Sequence, residues 1–160
     1  MIHEFSDFEC PFCSRVNPTI AQILQEYPND VKVVWRNMPL PFHKNAPLAA
    51  EAAYEAYKQK GDKAFWEYHD KLFASQKAPG GIERPNLEKI AEELGLDLTK
   101  FKKALDERTH QAKIESDSKA GSAAGINGTP GFLVNGYFIS GAQPISAFKK
   151  VIKLAKAEAK

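Results

Sequence analysis

The sequence predicts an α/β protein: a small mixed β-sheet flanked by helices, with a helical block inserted between its second strand and the rest. Three observations carry this. The β-rich runs Ile2–Phe8 and Val31–Arg36 bracket a stretch with helical spacing of its apolar residues. Asn135-Gly136 joins two further β-rich runs, and such a pair is a strong hairpin signal because both turn positions need positive φ. Between these regions, residues 45–107 carry helical patterning throughout. At 160 residues the chain favours a single domain spanning 1–160. Its 43% hydrophobic and 26% charged content is that of a globular protein, and a net charge of +2 excludes a dense basic footprint for nucleic acid.

The elements follow in order. The first strand runs toward Cys10, and Pro11 then occupies a first helical position, where its missing N–H costs nothing. A helix over about 12–27 places Val16, Ile20, Ile23 and Leu24 on one stripe, with a kink expected at Pro18. After the second strand come helices at Ala46–Lys60, Lys63–Ser75, Leu87–Leu94 and Leu98–Leu105. Another is expected from Arg108 to about Ala124, stopped by Gly125. The hairpin Phe132–Ile139 follows, then a last helix over Ile145–Ala159 with Phe148, Ile152 and Ala155 on one face. Lysines 149, 150, 153, 156 and 160 are expected on its solvated side.

No apolar run reaches the roughly 18 residues of a membrane helix, and no signal peptide is expected, since strand-like Ile2–Ser6 follows Met1 directly. The only cysteines are Cys10 and Cys13, too few for a disulfide-stapled scaffold, so any pairing is with each other.

Cys10-Pro11-Phe12-Cys13 closes a strand and opens a helix. Amide N–H groups at a helix start stabilise a thiolate and lower a cysteine pKa from about 8.5 to between about 3.5 and 7.5. Cys10 is expected to be exposed and nucleophilic, with Cys13 one turn further on as the resolving thiol. Half of a zinc site is the competing reading, although His3, His43, His69 and His110 are scattered. No cofactor or metal is expected. Phe12 is expected to face substrate. Thr129-Pro130 is an X-Pro bond ahead of a strand: a cis bond there leaves backbone groups free for an extended peptide, and a simple loop proline is the other reading.

These residues resemble the DsbA-like proteins of the thioredoxin superfamily. The resemblance runs through Glu4-Phe5-Ser6-Asp7-Phe8-Glu9-Cys10-Pro11-Phe12-Cys13, Pro39–His43 with Asn45-Ala46, Phe65-Trp66 with His69-Asp70, Leu94–Asp97, Gly128-Thr129-Pro130 and Asn135-Gly136. It implies a thioredoxin fold with a helical insertion and a thiol–disulfide oxidoreductase that oxidises substrate proteins, with reductase or isomerase as the alternative. It further implies a cis Pro130 facing the redox pair, Thr129 offering backbone hydrogen bonds, and Pro11 and Phe12 beside the substrate. Glu4, six residues before Cys10, matches the family's buried acid for the resolving thiol; an exposed Glu4, with Asp7 as the acid, is the other reading. The family's usual place is periplasmic or otherwise extracytoplasmic, as a monomer acting on protein or peptide thiols and reset by a membrane redox partner. Two departures stand out: Phe12 where strong oxidants often carry histidine, which favours a more moderate potential, and no counterpart of the family's usual first strand. His43, in the loop after the second strand, is expected to be solvated or to cap a neighbouring group, with tuning of Cys10 as the other reading.

Overall fold

The structure is a computed structural model, and it describes residues 1–159. Lys160, the last of the lysines expected on the final helix, lies outside them. Four strands form one mixed sheet in the order β2-β1-β3-β4, with β1 at Ile2–Ser6, β2 at Val33–Asn37, β3 at Gly131–Val134 and β4 at Tyr137–Ser140. β1 runs parallel to β2 and antiparallel to β3, so Glu4 lies between Trp35 and Phe132. The β3–β4 hairpin turns through Asn135 and Gly136 at φ 47° and 91°, the left-handed pair expected from their chemistry.

The first helix departs from the expected continuous one. It is split into α1 (Pro11–Arg15) and α2 (Asn17–Glu26), and Pro18 lies in the first turn of α2. A proline is tolerated there because no N–H is needed, so the chain restarts the helix instead of bending it. The helical block is α3 (Ala46–Lys60), α4 (Asp62–Ser75), α5 (Arg84–Glu93) and α6 (Leu98–Glu107). α7 (Gln111–Ala123) starts three residues later than expected because Arg108 sits in the left-handed region at φ 50° and ends α6. α8 (Ile145–Glu158) closes the chain. Two of its lysines reach across to acids near the end of α2: Lys149 to Glu26 at 2.7 Å and Lys156 to Asp30 at 2.9 Å.

Two large apolar cores result. On the sheet side, Ile2, Val16, Ile20, Ile23, Phe132, Val134, Phe148 and Ile152 join the strands to α2 and α8. In the helical block, Ala49, Ala52, Ala53 and Ala56 of α3 let neighbouring helices approach, around Phe65, Tyr68, Leu72, Leu87, Phe101 and Leu105. That second core also takes in Phe8, Cys10 and Cys13. α7 seats on the opposite face of β1 through Gly121, where an added Cβ would stand 2.8 Å from Phe5 Cδ1 and 2.3 Å from Met38 Cε. Buried Asp117 anchors the same helix, accepting from Arg36, from Lys113 and from both nitrogens of Asn37 at 2.8–3.1 Å.

Candidate active site

Residues 7–10 connect β1 to α1 and present the cysteine pair. Asp7 Oδ1 accepts from the Glu9 amide at 2.7 Å, and the Cys10 amide donates to the Asp7 carbonyl oxygen at 3.1 Å, which tightens the approach to the helix. Cys10 caps α1 in an extended conformation, and Ser14 N–H donates to its carbonyl at 3.2 Å. Both cysteines are free thiols, and both are covered: Cys10 is 4% exposed and Cys13 0%. The expectation of an exposed Cys10 is thus corrected. The block's core and the 129–130 segment cover it, while Pro11 and Phe12 beside it are open, Phe12 at 51%. The Arg15 guanidinium lies 4.8 Å above the Phe12 ring.

Two thiols in one helical turn meet opposite environments. The Cys13 thiol donates to the Cys10 sulfur, and this outweighs burial; with Thr129 and the amides of Phe12 and Cys13 contributing, the Cys10 pKa falls to about 6. At Cys13, burial and the neighbouring Cys10 drive the pKa far upward, with only weak relief from the hydroxyls of Ser6 and Thr129. One sulfur is thus held ready as thiolate at neutral pH and the other stays protonated. The Cys10 thiol lies 3.6 Å from the Thr129 carbonyl oxygen, and the Thr129–Pro130 peptide bond is cis.

Glu4 is 1% exposed, so the exposed-strand reading is overturned. Strand alternation puts it on the same face of β1 as Ser6. Its Oε1, the Ser6 hydroxyl and the Thr129 hydroxyl are buried without a hydrogen-bond partner of ordinary geometry. Burial raises the Glu4 pKa to about 8. Asp7, the other candidate acid, is instead used in structure: its Oδ2 accepts from the Leu40 amide at 2.7 Å and pairs with His43 Nδ1 at 2.8 Å. His43 accordingly serves to hold the loop after β2 through Asp7. Glu9 completes the loop's attachment, accepting from the Asn45 amide at 2.9 Å.

Two contributors escaped the sequence reading. Gln76, just after α4, donates to the carbonyl oxygens of Phe8 and Cys10. Trp35 stacks on Phe8 with ring centroids 4.5 Å apart, and His69, Phe65, Trp66 and Phe73 surround it. Only the aromatic richness of 65–73 hinted at such a wall; nothing about Gln76 stands out in sequence.

Known proteins share the fold. The structure superposes on BdbD from Bacillus subtilis with a TM-score of 0.81 at 29% identity, covering 96% of this chain and 85% of that one. A thioredoxin-like oxidoreductase from Silicibacter pomeroyi gives 0.80 at 25% identity over 98% and 86%, and DsbA2 from Pseudomonas aeruginosa 0.77 at 27% over 96% and 86%. These likenesses place the chain's fold with DsbA-type proteins of the thioredoxin class. The chain belongs to the thioredoxin family, which residues 1–154 match. In sequence it is also similar to an Na(+)/H(+) antiporter NhaA 3 of Salinispora tropica, 39% identical over 158 residues. An NhaA 1 of Salinispora arenicola is 38% identical over 153 residues. The chain spans less than a quarter of these relatives' length, 23% and 22%.

Proposed function

We propose that this chain introduces disulfides into substrate proteins, with Cys10 as the sulfur that exchanges with substrate and Cys13 as the resolving thiol. The observation that carries the reading is the divergence of the two thiols within one turn, Cys10 lowered to about 6 and Cys13 raised. A cysteine that is a stable thiolate is also a good leaving group, so a disulfide containing it is readily reduced by substrate thiols.

In the oxidising direction a substrate thiolate attacks Cys10 Sγ of the Cys10–Cys13 disulfide. The S–S bond breaks, and its electron pair leaves on Cys13, which takes up a proton. A second substrate thiolate then attacks the substrate sulfur of the mixed disulfide and releases Cys10 as thiolate. The substrate has lost two electrons and the enzyme has gained them, with no cofactor involved. Glu4 is the proton donor proposed for Cys13, because a buried carboxyl with a pKa of about 8 still holds its proton at neutral pH. Pro11, Phe12, Thr129 and Pro130 form the proposed substrate contacts: Phe12 offers an exposed apolar ring, and the 129–130 backbone offers hydrogen bonds to an extended peptide.

We further infer a single domain with residues 45–107 as an inserted helical subdomain, acting as a monomer outside the cytoplasm and reoxidised by a membrane partner. The likeness to BdbD and DsbA2 supports the placement, and the Pro-Phe dipeptide argues for a potential below that of the strongest oxidants.

The test is the reduction potential, read by equilibrating the protein in graded glutathione buffers, alkylating and counting free thiols by mass. A value between about −120 and −180 mV supports the oxidising or isomerising reading. A value between about −230 and −270 mV makes the protein a reductase and overturns the proposed direction.

A further inference from the structure

Gln76 follows the last turn of α4, where the helical block meets the redox motif. Its side-chain Nε2 donates to two carbonyl oxygens across that junction, Phe8 at 2.7 Å and Cys10 at 3.1 Å. The Cys10 carbonyl already accepts from Ser14 N–H at 3.2 Å, so Gln76 takes its second lone pair. A carbonyl with two donors is fixed in direction, and with it the peptide plane that leads from Cys10 into Pro11. Pro11 has no N–H, so no amide of its own can hold that turn.

The anchor behind Gln76 is itself firm. Asn86 Nδ2 donates to the carbonyls of Pro79 and Gly81 at 3.1 and 2.7 Å, closing the loop that follows Gln76. On the other side of the motif, the Phe8 ring is stacked on Trp35 and tilted against Phe73 at 5.3 Å. The segment 8–10 is therefore gripped twice by parts of the chain far from it in sequence, once through a ring and once through an amide.

We propose that Gln76 is a positioning residue for Cys10: its amide fixes the Cys10 carbonyl so that the sulfur stays within reach of the Phe12 and Cys13 amides. This rests on the reading of Cys10 as the exchanging thiol. Gln76 forms no bond to sulfur. It acts by holding the backbone that does the stabilising, and its donor end offsets the negative end of a carbonyl dipole next to a developing thiolate. Through this contact the helical block controls how readily Cys10 ionises and leaves.

The test follows thiolate absorbance at 240 nm against pH, together with the equilibrium against glutathione, in intact protein. Gln76→Ala is expected to raise the Cys10 midpoint by about half a unit or more. It also moves the glutathione equilibrium about threefold or further toward the enzyme disulfide, because a less stable thiolate is a poorer leaving group. Gln76→Lys keeps a donor of similar reach and holds the midpoint at or below the wild-type value. Gln76→Glu sets an acceptor against two carbonyls and raises the midpoint beyond that of Gln76→Ala. Lys77→Gln, one residue away, measures the effect of a single nearby charge alone.

A Gln76→Ala protein that titrates with the wild type, whatever its melting temperature, overturns the proposal, since a purely structural contact would change stability without moving the midpoint. If Gln76→Ala does not fold, the Lys and Glu variants decide. A spread between them no larger than twice the Lys77→Gln shift also overturns the proposal, being charge alone. A wild-type protein with no low-pKa thiol, and no disulfide at any glutathione ratio, removes the redox reading itself and is a separate outcome.

Discussion

The sheet-side core and the core of the helical block differ in what their apolar residues are for. On the sheet side, Ile2, Phe132, Val134 and Phe148 join strands to helices, and no group that exchanges electrons lies among them. In the block, the same kind of burial encloses Phe8, Cys10 and Cys13, so packing there also sets the titration of two thiols. Equal hydrophobic burial can therefore be mechanically equivalent and chemically unequal. The side of the motif on which a residue packs decides whether its loss is felt as stability or as reactivity.

The widest separation between the two regions comes from the cysteines themselves. Cys10→Ser is expected to abolish exchange with a dithiol peptide, a loss of about a thousandfold or more, while leaving the sheet-side core intact by circular dichroism. Cys13→Ala cannot form the Cys10–Cys13 disulfide and is expected to lose oxidation of a dithiol peptide; offered a peptide disulfide instead, its Cys10 forms mixed disulfides that no second enzyme thiol resolves, and these adducts accumulate on non-reducing gels.

A matched pair of truncations sharpens the contrast. Phe8→Ala and Phe132→Ala each remove a fully buried ring and are expected to cost about 3–5 kcal/mol in urea unfolding. Only Phe8→Ala should move the Cys10 midpoint, because only Phe8 lies in the segment that carries the cysteine. Equal shifts in both variants would dissolve the distinction between the cores.

Glu4 gives an effect of a few kcal/mol with a definite sign. Its folded pKa of about 8 lies above the unfolded value of 4.5, so the folded state binds more protons between those values. Stability therefore falls as pH rises through that window, and the penalty is complete above about 8. Glu4→Gln is expected to flatten the unfolding free energy across it, and a slope unchanged from wild type would show that Glu4 is not held protonated. The smallest expected change is at Gly121→Ala, about 1–3 kcal/mol, since the added methyl must displace Phe5 and the Met38 tip. Melting curves check it, and the Cys10 midpoint should stay in place.

Much of the fold was legible because its signals are local. The Asn135-Gly136 turn, the exact bounds of α3 and the placement of Cys10-Pro11-Phe12-Cys13 between strand and helix all follow from backbone chemistry within a few residues. The break at Val16 was legible only in part: Pro18 signalled an interruption, but a proline inside a helix and one in the first turn of a new helix carry the same local signal, and the chain takes the second arrangement. Asp7 and His43 show the limit more sharply. Each looked like a candidate for proton or thiolate chemistry, and they satisfy each other across 36 residues of chain.

By itself the sequence determined which residues could do chemistry, since only two cysteines exist and their spacing puts them in one helical turn. It also determined most elements, because periodicity and turn residues act over one or two turns of chain. Only the tertiary structure decided how those residues behave. Burial of Cys13 and Glu4, the covering of Cys10, and the grip of Gln76 on the motif all come from groups tens of residues apart. A thiol's or carboxyl's pKa is set by its solvation and by donors within a few ångströms, and those neighbours exist only once the chain has packed.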